Sequence, residues 1–161
     1  MVQRKTVAAV LCLAVLSGAA TLWLVHQHKA ARERAETARL FRAAKAGDAR
    51  AQYRIGARYY YGTGVPQNYA EAVRWYRQSA GQGNASAQYA LGYCYYHGCG
   101  VAQDKSEAAR WFRKAADQGY AWAETILGYM CSTGEDVPRD YAEGTRLFHK
   151  AAEQGDELSQ A

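Results

Sequence analysis

Sliding this chain past itself by 36 residues brings the same residue types back into register. Gly47, Gly83, Gly119 and Gly155 coincide, as do Gly56, Gly92 and Gly128, and then Gly62, Gly98 and Gly134. Val65, Val101 and Val137 follow in the same phase, and so do Glu71, Glu107 and Glu143. A self-similar period of roughly 20–50 residues marks a solenoid, in which each unit buries its apolar face only against its neighbours.

Each unit reads as two helices. The first follows a polar starter, Asp48 or Asn84. It carries Ala51, Ile55 and Tyr59, or Ala87, Leu91 and Tyr95, at i, i+4 and i+8, which is one helix face. Gly56, Gly92 and Gly128 stand beside that face, where a missing Cβ admits a second helix at close range; a buried glycine otherwise costs about 1 kcal/mol. Gly62, Gly98 and Gly134 end the helix. After a short loop, Asn68, Asp104 or Asp140 opens the second helix with Glu three residues on, a capping box. The buried face of that helix reads Ala72, Trp75 and Tyr76, then Ala108, Trp111 and Phe112, then Gly144, Leu147 and Phe148. Its expected stops are the glycines at 47, 83, 119 and 155.

Ala87-Gln-Tyr-Ala-Leu-Gly92, Tyr95-Tyr-His-Gly98-Cys-Gly100-Val101, Asp104-Lys-Ser-Glu107-Ala108 and Trp111-Phe-Arg-Lys-Ala115-Ala116 resemble a Sel-1-like repeat, of the tetratricopeptide-like helical clan. The resemblance covers residues 43–154. It implies an all-α solenoid of three helix-pair repeats, at 47–82, 83–118 and 119–154, that binds other proteins as an adaptor or scaffold. Unit three departs from the pattern: Asp136 replaces the second loop glycine, Gly144 a helix alanine and Leu147 the tryptophan. It is expected to be the least stable unit.

Residues 1–5 are short and basic, and 7–25 is a run of 19 residues without a charge. At about 1.5 Å per residue such a helix nearly spans a hydrocarbon core of about 30 Å. A cleaved signal peptide would use Val7 to Leu16 as its apolar core and Ser17-Gly-Ala19 as its small-residue site. The apolar Leu22-Trp-Leu-Val25 beyond that site favours a retained anchor over residues 1–28, tying the protein to a membrane. The basic start points to an exported domain on a bacterial inner membrane, whereas Lys29, Arg32, Arg34 and Arg39 pull the other way. Residues 29–46 read as a capping helix, with Leu40, Ala43 and Ala44 in phase with Tyr76, Ser79 and Ala80. Residues 155–161 read as the truncated start of a further helix, an uncapped end through which the chain would self-associate.

Residues 1–42 hold seven Lys or Arg and two acidic residues, the whole net charge of +5. Residues 43–161 hold thirteen of each sign, running from +4 over 43–80 to −6 over 117–161. A neutral domain is not a nucleic-acid footprint, so no nucleic-acid partner is expected. Cys94, Cys99 and Cys131 occupy three different repeat positions, without the regular disulfide framework of cysteine-rich relatives; free thiols are the simpler reading, a Cys94–Cys99 bridge the other. His26, His28, His97 and His149 form no metal motif, and Gly62-x-Gly64 and Gly98-x-Gly100 follow helices as turns rather than cradling phosphate. No Ser stands three residues before a Lys, which counts against a hydrolase like the relatives labelled β-lactamases. No catalytic residue, metal or cofactor is expected. Trp75, Trp111 and most tyrosines fit repeat packing.

One surface feature remains. Positions 50, 54 and 58 share a face of the first helix: Arg50, Arg54 and Arg58 in unit one, Ser86, Ala90 and Cys94 in unit two, Trp122, Ile126 and Met130 in unit three. First helices of such repeats line the concave surface, so this row would grade a partner-binding groove from basic to apolar. The plainer reading is a solvated arginine face at one end and terminal packing at the other.

Overall fold

The computed structural model describes residues 2–134 and 137–159, with all their side chains except those of 2–19, 30 and 156–159. Among the described residues there are seven helices and no strand: α1 (Val2–Lys45), α2 (Ala49–Tyr61), α3 (Tyr69–Gly81), α4 (Ala85–His97), α5 (Lys105–Asp117), α6 (Ala121–Thr133) and α7 (Tyr141–Ser159). The chain forms two compact units, Met1–Arg39 and Leu40–Ala161.

The first unit is helical from Val2 onward. The capping helix expected at 29–46 is not a separate element, because no glycine or proline interrupts the chain between Ala19 and Lys45. Among the described residues no helix is long and apolar enough to cross a membrane. The expected anchor, 7–25, falls for residues 7–19 on side chains outside those described.

The second unit is an all-helical solenoid in which α2 through α7 pack in sequence order, each on the next. Local chemistry sets the helix bounds. Asp48 and Asn84 accept from the backbone N–H of Ala51 and Ala87 at 2.7 and 2.9 Å. Asn68, Asp104 and Asp140 cap the second helices by accepting from Glu71, Glu107 and Glu143 at 3.1, 2.8 and 3.0 Å. Such caps contribute about 1 kcal/mol each. Unit three lacks one of them, since its first helix follows Tyr120 and has no side-chain cap. Gly62, Gly98 and Gly134 close the first helices in the left-handed region, at φ 70°, 73° and 73°.

Close helix approach explains the second glycine series. A Cβ on Gly92 would stand 2.8 Å from the Phe112 ring and 3.2 Å from the Ala108 carbonyl oxygen. Gly92→Val is therefore expected to destabilise the domain by roughly 1–3 kcal/mol or more through overpacking. Helical Gly81 has nothing within 4 Å of a Cβ. Gly81→Ala should gain about 0.5–1 kcal/mol from helix propensity. Thermal melts that shift downward equally for both would contradict the packing.

Three apolar clusters run along the solenoid. Leu40 and Ala44 pack with Ala51, Ile55 and Trp75; Ala72, Val73, Tyr76 and Ala80 with Ala87, Leu91 and Cys94; Ala108, Phe112 and Ala115 with Ala123, Leu127, Met130 and Leu147. Burying a leucine, isoleucine or phenylalanine side chain contributes about 1.5–3 kcal/mol. Phe148, expected in the buried face, is 39% exposed. Its counterpart Phe112 is fully buried beside the rings of Tyr89 and Tyr96. The positions equivalent to Tyr89 and Tyr96 hold the smaller Thr125 and Ser132 in unit three.

A polar ladder joins the pairs on their buried side. Gln52 and Gln88 donate to the carbonyl oxygens of Ala44 and Ala80 at 3.1 and 3.3 Å. They accept from Gln82 and Gln118 at 2.6 and 2.7 Å. The third position is Glu124, fully buried, which accepts from Gln154 at 2.9 Å but has no proton for the Ala116 carbonyl. Lys150 supplies it, donating to Ala116 O at 3.1 Å. Its Nζ also lies 2.7 Å from Glu124 Oε1, off that oxygen's hydrogen-bonding direction, so charge holds the pair.

α7 does not stop at Gly155 but runs through it to Ser159. Glycine permits a reversal without forcing one. At Gly83 and Gly119 the turn is followed by an apolar helix that packs back, and Asp156-Glu-Leu-Ser159 offers no such pattern. Residues 155–159 are thus the end of α7 rather than a new helix. The replacement at Asp136 lies outside the described residues.

Candidate functional site: the tyrosine groove

α2, α4 and α6 are the first helices of the three pairs, and they turn a common side to an open groove of about 540 Å³. Its walls are mostly aromatic. Tyr53, Ala57, Tyr60 and Tyr61 come from α2, Ala90, Tyr89 and Tyr93 from α4, and Tyr120 and Trp122 from the start of α6, with Tyr76 at the floor. The rings hold one another: Tyr53 and Tyr76 have centroids 5.9 Å apart, Tyr89 and Tyr120 5.2 Å, Tyr60 and Tyr93 6.4 Å. Offset and edge-to-face contacts of this kind limit the rotamer freedom that binding would otherwise have to remove.

Burial raises four of these phenols, those of Tyr53, Tyr60, Tyr76 and Tyr89, above the ordinary tyrosine value. The Tyr53 hydroxyl is pushed up by desolvation, then by the neighbouring Tyr120 and Tyr61. Tyr89 is pushed up by desolvation, then by Tyr120 and Tyr93. Tyr60 is raised by burial and by its bond to the Cys99 thiol, whose sulfur lies 3.9 Å away. The groove therefore presents neutral O–H groups and apolar ring faces.

The row expected from sequence is split by the structure. Ala90 and Trp122 line the groove, and Trp122 is 68% exposed. Arg50 and Arg54 are exposed at the repeat positions matching Trp122 and Ala90. Ser86 and Ile126 are half-buried, Ile126 against the third apolar cluster. The last position of each triplet does not belong. Met130 and Cys94 are fully buried in the core, so they offer no surface, and half-buried Arg58 donates to the Thr63 carbonyl at 3.3 Å. Position 58 lies eight residues past 50, two turns and about 80° further round, which carries it out of the groove.

The sequence pattern places most of the tyrosines in repeat packing. Their signal was present in phase, since Tyr53 and Tyr89 each immediately precede a residue of the Arg54–Ala90 row. Tyr53, Tyr60, Tyr89, Tyr93 and Tyr120 do pack against the apolar clusters, as expected, but they are only half-buried, so they also wall the groove.

Cys94, Cys99 and Cys131 are free thiols, so the Cys94–Cys99 bridge is not formed. Burial pushes the Cys94 thiol up to about 12, with Cys99 adding to the shift, so it stays protonated at neutral pH. Among the described residues no group of three His, Cys, Asp or Glu is placed to hold a metal ion.

A family model described as Sel1 repeat matches residues 49–84, 85–120 and 123–156. No curated protein matches the chain. One similar solved structure is that of c5321, a protective antigen present in uropathogenic Escherichia coli strains displaying an SLR fold. It is 45% identical over 72% of this chain and 25% of that one, with a TM-score of 0.70. Another is a Sel1 repeat protein from Oxalobacter formigenes, 36% identical over 82% of this chain and 53% of that one, with a TM-score of 0.73. The chain thus spans a quarter and about half of the lengths of these two proteins.

Proposed function

Because this chain belongs to the Sel1 repeat family, we propose that it is a protein-binding adaptor or scaffold whose tyrosine groove takes a segment of a partner protein. The observation that carries this is Trp122, a large apolar ring standing 68% exposed at the mouth of a groove already walled by aromatic residues. A hydrophobic ring left in water beside preformed aromatic walls is the composition of an interface hot spot. Trp122→Ala is expected to cost about 2 kcal/mol or more of partner affinity. The test is capture from detergent-solubilised membranes with both forms, after circular dichroism has shown equal helicity. A folded variant that recovers the wild-type set of partners in the same amounts would exclude the groove.

The adaptor is further proposed to be membrane-tethered through 7–25, with the repeats exported. Support comes from the uncharged run itself and from Leu22, Trp23, Leu24 and Val25, four consecutive large apolar side chains that are 49–73% exposed. Exposed in water, such a run loses its hydrophobic stabilisation; in a bilayer interface it does not. The full-length chain should stay in membranes washed at alkaline pH. Mature protein beginning near Ala20 would instead mean a cleaved signal and a released repeat domain.

A further inference from the structure

The charge around the groove is one-sided. α2, α4 and α6 carry Arg50, Arg54, Arg58 and His97, and a single carboxylate, Glu124, which is fully buried and paired with Lys150. None of the three helices therefore shows an acidic side chain to the groove, although residues 43–161 hold as many acidic as basic residues. Asp48 is exposed as the cap of α2, its carboxylate taken up by the Ala51 N–H at 2.7 Å, and Glu71, Glu107 and Glu143 in the first turns of α3, α5 and α7 pair with Arg74, Arg110 and Arg146.

We propose that the groove's occupant is an acidic, extended segment of a partner protein, with carboxylates on Arg50 and Arg54 and apolar side chains on the tyrosines and Trp122. This rests on the groove reading above and specifies its ligand. Arg50 and Arg54 stand one helical turn apart on α2, about 6 Å. Side chains i and i+2 of an extended peptide are spaced by nearly the same distance, about 6.6 Å, and project to one side. Two carboxylates in alternation thus reach both guanidinium groups, while the intervening residues face the opposite way. The protonated hydroxyls of Tyr53 and Tyr89 add donors and no competing anion, which suits an acceptor-rich ligand. A nucleic-acid strand fits less well, since its phosphates need a basic surface along their whole track and here the exposed guanidinium groups sit on one helix of a neutral domain.

The test is selection of linear dodecapeptides from a random phage-displayed library on the full-length protein in detergent, at low and at physiological salt. Peptides enriched in Asp and Glu are expected. Arg50→Gln/Arg54→Gln should weaken a selected peptide roughly five- to ten-fold at low salt, with a smaller effect at high salt. Trp122→Ala should abolish its binding at either salt. Peptides that depend on Trp122 but show no acidic bias, or no dependence on the two arginines, would overturn the acidic occupant and leave the groove reading intact. Absence of any Trp122-dependent peptide would overturn both. Labelled oligothymidylate binding through Arg50 and Arg54, with no acidic peptide selected, would replace the protein segment by a nucleic acid.

Discussion

Lys150→Met is expected to destabilise the repeat domain by about 2–4 kcal/mol, a fall in melting temperature of roughly 5–15 °C. Glu124 loses its counter-ion, and the Ala116 carbonyl loses a side-chain donor while keeping the Gly119 N–H at 2.9 Å. Glu124 is fully buried with its charge, and Lys150 donates to the Ala116 carbonyl beside it. Removing one partner of a buried pair typically costs about 3–5 kcal/mol. The lower range applies here because the Lys150 side chain is 40% exposed and Gln154 continues to donate to Glu124. Units one and two supply the rescue. There Gln52 and Gln88 occupy the position of Glu124, and their amides donate to Ala44 and Ala80 without help from a lysine. The double variant Glu124→Gln/Lys150→Met should therefore recover most of the loss, since Gln at 124 brings its own donor for Ala116 and no charge. Circular-dichroism melts of the two single variants and the double give the coupling energy. A double variant as unstable as Lys150→Met would show that the ladder position does not control the stability of unit three.

Gly100→Ala should be comparably damaging, at about 2–4 kcal/mol, for two reasons that can be separated. Gly100 has φ +73°, where an L side chain costs about 1–2 kcal/mol. A Cβ there would also press on the Tyr69 carbonyl group and come within 2.7 Å of the Ala70 nitrogen. These are backbone atoms at the start of α3, which have no rotamer by which to move aside, so overpacking adds roughly 1–3 kcal/mol. Gly83 is the control, because it has φ +87° and nothing within 4 Å of a Cβ. Gly83→Ala should show the conformational cost alone. Chemical denaturation of both variants measures the difference, and equal losses would mean that the loop after α4 does not bear on α3. The same comparison tests what couples one repeat to the next, since Gly100 and Tyr69 belong to different units.

What the chain determines by itself is whatever is decided within one helix and its caps. The 36-residue phase sets the number of pairs. Asp48, Asn68, Asn84, Asp104 and Asp140 set where helices begin, and Gly62, Gly98 and Gly134 where the first helices end. Each of these signals acts over three to five residues, so it does not depend on what else the chain does. Even Gly56, Gly92 and Gly128 were legible as close approaches, because the partner helix is the next one along.

The rest was decided by how the pairs stack. A row at i, i+4 and i+8 drifts about 80° around the helix, so only the packing partner determines which of its members stay on the surface. That drift left Trp122 exposed and put Met130 in the core. The tyrosines follow the same logic, for a residue type that suits both core and interface is placed by the neighbours it meets. Glu124 and Lys150 become a pair only when α6 and α7 lie side by side, and Gly100 meets Tyr69 only when two units are in contact. Contacts across some 26–36 residues depend on the angle between successive helices, a property of the assembled solenoid rather than of any stretch of its sequence.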